Sequence, residues 1–105
     1  MKISVIIPTL NAAEDLPECL LLVLSGAAGQ LREVIVSDGG SVDDSAELAE
    51  KSGAQVVAGS PGRGGQLRRG AQAASGEWLL FLHADTHLPQ SWGRVAADHM
   101  AHYGG

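Results

Sequence analysis

Three polar residues, His83, Asp85 and Thr86, follow directly on the apolar run Trp78–Leu82. Carboxylate and imidazole groups can together hold a divalent metal ion. An apolar run of this length, with no polar alternation, predicts a buried strand. Ligands of open α/β sheets bind outside the carboxyl ends of the strands, so this run is expected to deliver Asp85 to a binding site.

Similar polar segments follow the three other predicted strands. They are Pro8-Thr9-Leu10-Asn11, Ser37-Asp38-Gly39-Gly40-Ser41 and Gly62-Arg63-Gly64. Because the carboxyl ends of parallel strands lie along one edge of a sheet, we expect these segments to meet. Together they offer a carboxylate for a base or ribose, N–H groups and a guanidinium for phosphate, and ligands for a cation. A nucleoside diphosphate requires this combination of groups.

Strand and helix patterns alternate along the whole chain. The predicted strands are residues 3–7, 34–36, 56–58 and 78–82, and the predicted helices are residues 14–24, 43–51, 67–74 and about 89–103. Pro8 is expected to end the first strand and Asn11 to cap the first helix, while Ser41 and Asp44 resemble a capping box. This alternation predicts an α/β fold with a mostly parallel sheet of about four strands, helices on both faces and right-handed crossovers.

Two further segments complete the predicted elements. The glycine-rich stretch 59–65 is predicted to be a loop. The last helix is expected to place four apolar residues on one side, namely Trp92, Val95, Ala96 and Met100. With 105 residues, 45% of them hydrophobic and 18% charged, the chain has the composition of one soluble globular domain.

The charge distribution limits the classes of partner. A formal net charge of -5 argues against nucleic-acid binding, because such proteins carry a basic excess that neutralises phosphates. Arg63, Arg68 and Arg69 lie close together in an otherwise acidic chain and predict a small anion site. Of these three, Arg69 is the one expected to be an ordinary solvated charge.

The remaining composition bears on location. The single Cys19 permits no internal disulfide, which fits a reducing compartment. The longest apolar run, residues 19–24, is far shorter than the roughly 20 residues that span a bilayer. No signal peptide is visible, so a cytoplasmic protein is expected, and peripheral association with a membrane surface stays open.

Three segments in order resemble family 2 glycosyltransferases of GT-A fold. They are Ile-Pro-Thr-Leu-Asn at 7–11, Val-Ser-Asp-Gly-Gly-Ser-Val-Asp at 36–43 and Gly-Glu-Trp-Leu-Leu-Phe-Leu-His-Ala-Asp at 76–85. The resemblance implies a Rossmann-like, donor-binding half of a GT-A fold. It also implies an inverting enzyme that uses a nucleotide-sugar, commonly a UDP-sugar, with Mn2+ or Mg2+ neutralising the departing diphosphate.

Individual residues carry this resemblance to different degrees. Thr9 and Asp38 match base-binding positions, and Asp85 matches the last carboxylate of the Asp-x-Asp metal motif. His83 replaces the first Asp of that motif, so it is a candidate metal ligand together with Asp85. The residues expected to bind the nucleotide are Pro8, Thr9, Asn11, Asp38, Arg63, Arg68 and His83. Two further departures from the family pattern are Gly39, where a second Asp is usual, and Arg68, where Asn is frequent.

The length of the chain is a further departure. Family members place the acceptor pocket and the catalytic base in their second half, so residues 1–105 are expected to form one incomplete nucleotide-sugar-binding domain. The base is then expected beyond residue 105, and Asp98 is expected to be a surface group. The acceptor is not identified. An exposed sheet edge or apolar surface on such a half predicts a capacity for self-association.

The same residues allow several other interpretations. Asp38 and Asp85 could be turn or cap residues, Thr9 and Asn11 could cap the first helix, and His83 could be held by a hydrogen bond alone. His83, Asp85 and His87 would share a face and form a zinc site if the strand continued. At the level of function, the alternatives are a nucleotide-binding or assembly module without turnover and a nucleotidyltransferase.

Overall fold

A computed structural model of the protein describes residues 2–103. Four strands and four helices alternate, as the sequence predicts. In chain order they are β1 (Ile3–Thr9), α1 (Leu16–Ser25), β2 (Leu31–Asp38), α2 (Ser45–Lys51), β3 (Gln55–Ala58), α3 (Arg63–Ala73), β4 (Trp78–Phe81) and α4 (Trp92–Tyr103). Within residues 2–103, no helix is long and apolar enough to cross a membrane.

The four strands form one parallel sheet in the order β3-β2-β1-β4. β1 lies inside the sheet, with Val5 opposite Val34 on β2 and opposite Leu80 on β4. The register also sets Thr9 opposite Asp38, so the two strand ends lie side by side. The prediction of a mostly parallel sheet with its polar strand ends on one edge is confirmed.

Helices cover both faces of this sheet. On one face, Val5 and Ile7 of β1 belong to the main hydrophobic core, to which α1, α2 and α4 also contribute buried residues. Ile6 points to the opposite face because side chains alternate along a strand. There α3 packs closely, since a Cβ at Gly70 would lie 2.4 Å from Cγ2 of Ile6. The prediction of helices on both faces is confirmed.

β1 ends two residues later than predicted, and α1 begins two residues later than predicted. β1 continues through Pro8, which pairs with Ser37 on β2. Proline is tolerated there because the pairing with β4 ends at Ile6, so no partner on that side needs its missing N–H group. α1 begins at Leu16, and Pro17 in its first turn needs no N–H partner.

The third and fourth helices also differ from the prediction. α3 begins at Arg63, so the last three residues of the predicted loop 59–65 are helical. Gly62, with a φ of 144°, turns the chain into the helix. α4 begins at Trp92 instead of Pro89. Trp92, Val95, Ala96 and Met100 line one groove, which confirms that they share one side of the helix. Trp92 and Met100 are also buried, whereas Val95 is 62% exposed.

The strand β4 is only partly buried, whereas the sequence predicted a buried strand. Leu79 is 42% exposed and Phe81 is 47% exposed. The physical reason is position, because β4 forms the edge of the sheet and pairs only with β1. On its other side, Trp78 and Leu80 line an open apolar groove of about 560 Å³ between β4 and α4.

Candidate functional site

The ends of β1 and β2 are joined by a buried hydrogen bond between side chains. Oγ1 of Thr9 donates to Oδ1 of Asp38 over 2.7 Å, and the Ser41 hydroxyl donates to the same oxygen over 2.6 Å. The other oxygen, Oδ2, accepts from the backbone N–H groups of Gly40 and Ser41 at 3.1 and 2.8 Å. Burial would raise the pKa of Asp38, but the hydrogen bonds from Ser41, Thr9 and Gly40 outweigh it and lower the pKa.

These four hydrogen bonds nearly fill the acceptor capacity of the Asp38 carboxylate, which has about four lone-pair sites. The residue is also only 4% exposed. Asp38 therefore organises the turn after β2 in this state. A base N–H group that bonds to it has to replace the hydroxyl of Thr9 or Ser41.

Asn11 links the loop after β1 to the turn after β2. It adopts a φ of 53°, its Oδ1 accepts from the N–H of Val42 over 2.8 Å, and its own N–H donates to Oγ of Ser41 over 2.8 Å. The N-cap of α1 is Asp15, which makes no side-chain capping bond. The expectation that Asn11 or Thr9 caps this helix was wrong, because both side chains reach across to the neighbouring loop.

The capping box expected for α2 is also absent. Its N-cap is Asp44, whose side chain makes no capping hydrogen bond. The Ser41 hydroxyl instead donates to Asp38, and Oδ1 of Asp43 accepts from the N–H of Ser45 over 3.0 Å. Ser41 therefore stabilises the turn around the Asp38 carboxylate and does not cap α2.

A shallow pocket of about 280 Å³ lies at the carboxyl edge of the sheet, beside these strand ends. Arg63, the first residue of α3, contacts Nε2 of His83 through its Nη2 atom, and both side chains are exposed. A guanidinium can only donate, so this imidazole nitrogen is the acceptor in the contact. The lining residues are Pro8, Thr9, Leu10, Gly62, Arg63, Gln66 and His83.

Asp85 lies beyond this pocket lining, in a turn closed by a hydrogen bond from the N–H of Thr86 to the carbonyl of His83 over 3.0 Å. Its side chain is exposed. Behind the turn, the buried Cys19 thiol donates to the His83 carbonyl over 3.8 Å. Burial, together with the negative charge of Asp85, raises the pKa of Cys19 to about 11, so this thiol is unreactive near neutral pH.

The donor atoms of the two candidate ligands, Asp85 and His83, suit a divalent metal ion. An exposed carboxylate on Asp85 and an imidazole on His83 are suitable donors for Mn2+, although Nε2 of His83 is engaged by Arg63. Among residues 2–103, no group of three or more His, Cys, Asp or Glu side chains could hold a metal ion. Further ligands then have to come from a bound diphosphate or from water. The zinc interpretation was wrong. β4 ends at Phe81, so His83, Asp85 and His87 do not share a strand face, and Nε2 of His87 lies 3.7 Å from Oε2 of Glu18 instead.

The other two arginines lie away from the pocket lining. Arg68 is exposed and is two residues from the buried Gln66, a separation of about 200° around a helix, so it faces away from the sheet. Arg69 was expected to be solvated, but its Nη2 donates to the carbonyl of Ser60 over 2.6 Å and its guanidinium lies against Gly59. Of the three arginines, only Arg63 lines the pocket.

Gln66 is a lining residue that the sequence did not indicate. It is 5% exposed, and its amide contacts the ends of β1 and β2. With α3 predicted to begin at residue 67, Gln66 fell beside a loop, where a glutamine is an ordinary surface residue. In the structure α3 begins at Arg63, so Gln66 and Gly70, four residues apart, lie on the same side of the helix and face the sheet. A prediction that started this helix at Arg63 would have indicated Gln66.

Comparisons with known proteins agree with this architecture. The family model described as glycosyl transferase family 2 matches residues 4–104. A PGL/p-HBAD biosynthesis glycosyltransferase of Mycobacterium tuberculosis is 37% identical over 103 residues, which is 90% of this chain and 40% of that protein. An undecaprenyl-phosphate 4-deoxy-4-formamido-L-arabinose transferase of Klebsiella pneumoniae is 35% identical over 84% of this chain and 30% of its own length.

Solved structures show the same fold. Glucosyl-3-phosphoglycerate synthase from M. tuberculosis, crystallised with Mn2+, UDP and glucosyl-3-phosphoglycerate, has a TM-score of 0.73 and 32% identity over 82% of this chain and 35% of that chain. S. aureus TarS has a TM-score of 0.84 and 25% identity over 99% of this chain and 20% of that chain. The chain thus spans less than half the length of these relatives. Its sequence and its fold together show that it belongs to glycosyl transferase family 2.

Proposed function

We propose that this chain is the donor-binding part of an inverting glycosyltransferase that takes a sugar from a nucleotide-sugar, a UDP-sugar, with Mn2+ or Mg2+ assisting departure of the diphosphate. The observation that carries the proposal is the meeting of Thr9, Asp38, Arg63 and His83 around the strand ends. The Mn2+ and UDP in the structurally similar synthase from M. tuberculosis support the choice of donor and metal.

The nucleoside and the diphosphate of the donor are bound at different ends of the site. Thr9 and Asp38 lie at the nucleoside end, where a base N–H group can exchange with a hydroxyl donor. Arg63, at the N-terminus of α3, presents a guanidinium and helix N–H groups to the diphosphate. Asp85 and His83 would hold the metal ion. When bound, that ion supplies positive charge to the departing diphosphate.

Isothermal titration calorimetry with UDP tests this proposal. The purified chain is expected to bind UDP with a micromolar-to-millimolar Kd, and Mn2+ is expected to tighten binding by about tenfold, or about 1.4 kcal/mol. Asp85→Ala should remove the manganese effect because it removes the exposed carboxylate. Asp98→Ala, on the exposed side of α4, is the control and should keep it. An absence of UDP binding both with and without Mn2+ would contradict the donor-site assignment.

The alternative is a nucleotide-binding or assembly module without turnover. Its support is that no carboxylate among residues 2–103 lines the pocket at the carboxyl edge, and that Asp98 is exposed on α4. We propose that the catalytic base lies in the part of the longer relatives that this chain does not span. Radiolabelled sugar transfer by the purified 105-residue chain is therefore expected to be undetectable, and measurable turnover would overturn this expectation.

Self-association is a further proposal about partners, and the exposed apolar residues on β4 support it. The outer edge of β4 has no strand partner among the described residues, and Phe81, the last residue of β4, is 47% exposed. Sedimentation velocity is expected to show a concentration-dependent dimer that Phe81→Lys weakens. Val42→Lys changes a residue that is 93% exposed and lies after β2, a strand that does not pair with β4, so it should leave the dimer intact. A single monomeric species for the wild type at every concentration would refute this proposal.

We further propose a cytoplasmic location, with contact at a membrane surface as the alternative. The acidic net charge of -5 supports a soluble location over attachment to an anionic membrane surface, because such surfaces attract basic segments. Co-sedimentation of the purified chain with anionic vesicles would favour the peripheral alternative.

A further inference from the structure

The side-chain amide of Gln66 joins three separate elements. Its Nε2 donates to the carbonyl of Thr9 at the end of β1 over 2.9 Å and to the carbonyl of Ser37 near the end of β2 over 2.8 Å. Its Oε1 accepts from the N–H of Gly62, the N-cap of α3, over 3.1 Å. Both donor hydrogens of the amide are thus used, and the residue is only 5% exposed.

Gly39 leaves the space that this amide fills. A Cβ at position 39 would lie 2.8 Å from Oε1, 2.9 Å from Cδ and 3.1 Å from Nε2 of Gln66. The N–H of Gly39 also donates to the Thr9 carbonyl over 2.9 Å, so both residues bind the same oxygen. Gly39 does not have a positive φ, so glycine is required here for space and not for backbone conformation.

We propose that Gln66 is a positioning residue, whose amide fixes the ends of β1 and β2 relative to the first turn of α3, and that Gly39 is the residue that makes room for it. The amide thereby sets the spacing between the Thr9–Asp38 pair and Arg63. These are the nucleoside and diphosphate ends of the donor site, so the binding part of the inference rests on the proposed function.

A structural role alone and a positioning role differ in what they change. If Gln66 only stabilises the fold, its loss lowers the free energy of unfolding and leaves the site of the folded molecules as it was. If it positions the strand ends, its loss also displaces the peptide groups next to Thr9 and Asp38. The hydrogen bonds that lower the pKa of Asp38 then loosen, and that pKa rises toward its ordinary value.

Gln66→Met tests this difference, because methionine keeps the length of the side chain and removes all three hydrogen bonds. We expect UDP affinity, measured under conditions where the variant is folded, to fall by about tenfold. We also expect the carboxyl 13C resonance of Asp38 to titrate at higher pH than in the wild type. The matched control is Gln72→Met on the exposed side of the same helix, which should change neither quantity.

Gly39→Ala approaches the same contact from the opposite side and serves if Gln66→Met does not fold. Its methyl group should displace the amide and raise the Asp38 pKa in the same direction. Combining the two substitutions should weaken UDP binding no more than the worse single change, because both remove one set of bonds. Wild-type affinity and an unshifted Asp38 titration in folded Gln66→Met would overturn the positioning role.

The two proposals fail in different ways. If the wild-type chain binds no UDP, the donor-site proposal fails. The Asp38 titration of Gln66→Met and Gly39→Ala then still decides whether the amide positions the strand ends.

Discussion

Replacing Asp38 with alanine is expected to destabilise the chain by about 3 kcal/mol and to weaken UDP binding by at least about a hundredfold. The carboxylate accepts hydrogen bonds from Thr9, Gly40 and Ser41, and the backbone N–H groups of Gly40 and Ser41 are left without this acceptor in the variant. Urea unfolding gives the free-energy change, and calorimetry under folded conditions gives the UDP affinity.

Asp38→Asn is the matched variant for this prediction. Its amide oxygen can still accept from the two backbone N–H groups, while its NH2 group faces hydroxyls of Thr9 and Ser41 that can rotate to accept. It should therefore lose less than half as much stability as Asp38→Ala. A fully stable Asp38→Ala protein would show that the turn does not depend on the carboxylate.

The contribution of Asp38 should also depend on pH. The folded chain holds its pKa below the value in the unfolded chain. The stability that it contributes is therefore complete above about pH 4, near the unfolded value, and is lost as the pH falls through the folded value. The difference between wild type and Asp38→Ala should shrink in acid.

Gly93→Ala is expected to destabilise the chain by about 2–3 kcal/mol. A Cβ at this position would lie 2.0 Å from the carbonyl oxygen of Ala27, a backbone atom that cannot rotate away. Two hydrogen bonds hold the start of α4 against the end of α1. The N–H of Gly93 donates to the Gly26 carbonyl over 2.8 Å, and the Trp92 indole donates to the Val23 carbonyl over 2.9 Å. The clash should outweigh the helix propensity gain of about 1 kcal/mol.

The control for this second prediction is Gly64→Ala in α3. A Cβ there meets nothing within 4 Å, so only the propensity gain remains, and stability should rise by up to about 1 kcal/mol. Urea unfolding of both variants measures the difference. Equal effects of the two substitutions would mean that the close approach of α4 to the chain after α1 carries no energy.

The sequence predicted the fold well where a pattern has a direct physical cause. β-branched runs and helical spacing alternate, so the element order and the parallel sheet could be predicted, together with the neighbouring positions of Thr9 and Asp38. The start of α3 at Arg63 could not be predicted from local patterns, because Gly64 disfavours a helix by about 1 kcal/mol. Packing of Gly70 on Ile6 and the hydrogen bonds of Gln66 outweigh this local preference.

Strand order is the second property that local patterns do not contain. An apolar run such as Trp78–Phe81 has the sequence of an interior strand, yet its burial depends on which strands and helices lie beside it. Here β4 lies at the edge of the sheet, while α3 packs mainly against β1 and β2, so Leu79 is exposed. The hydrogen bonds of Asn11 to Val42 and Ser41 were likewise hidden, because they join loops about 30 residues apart.

The groove between β4 and α4 also determines what the chain's intrinsic fluorescence reports. Trp78 and Trp92, the two tryptophans in the sequence, both line this groove, and neither lines the pocket at the carboxyl edge. Trp78 begins β4 at the opposite end of the strand from that edge. Emission wavelength is therefore a label-free signal for coverage of the groove, and the nucleotide has to be followed by another optical or calorimetric signal.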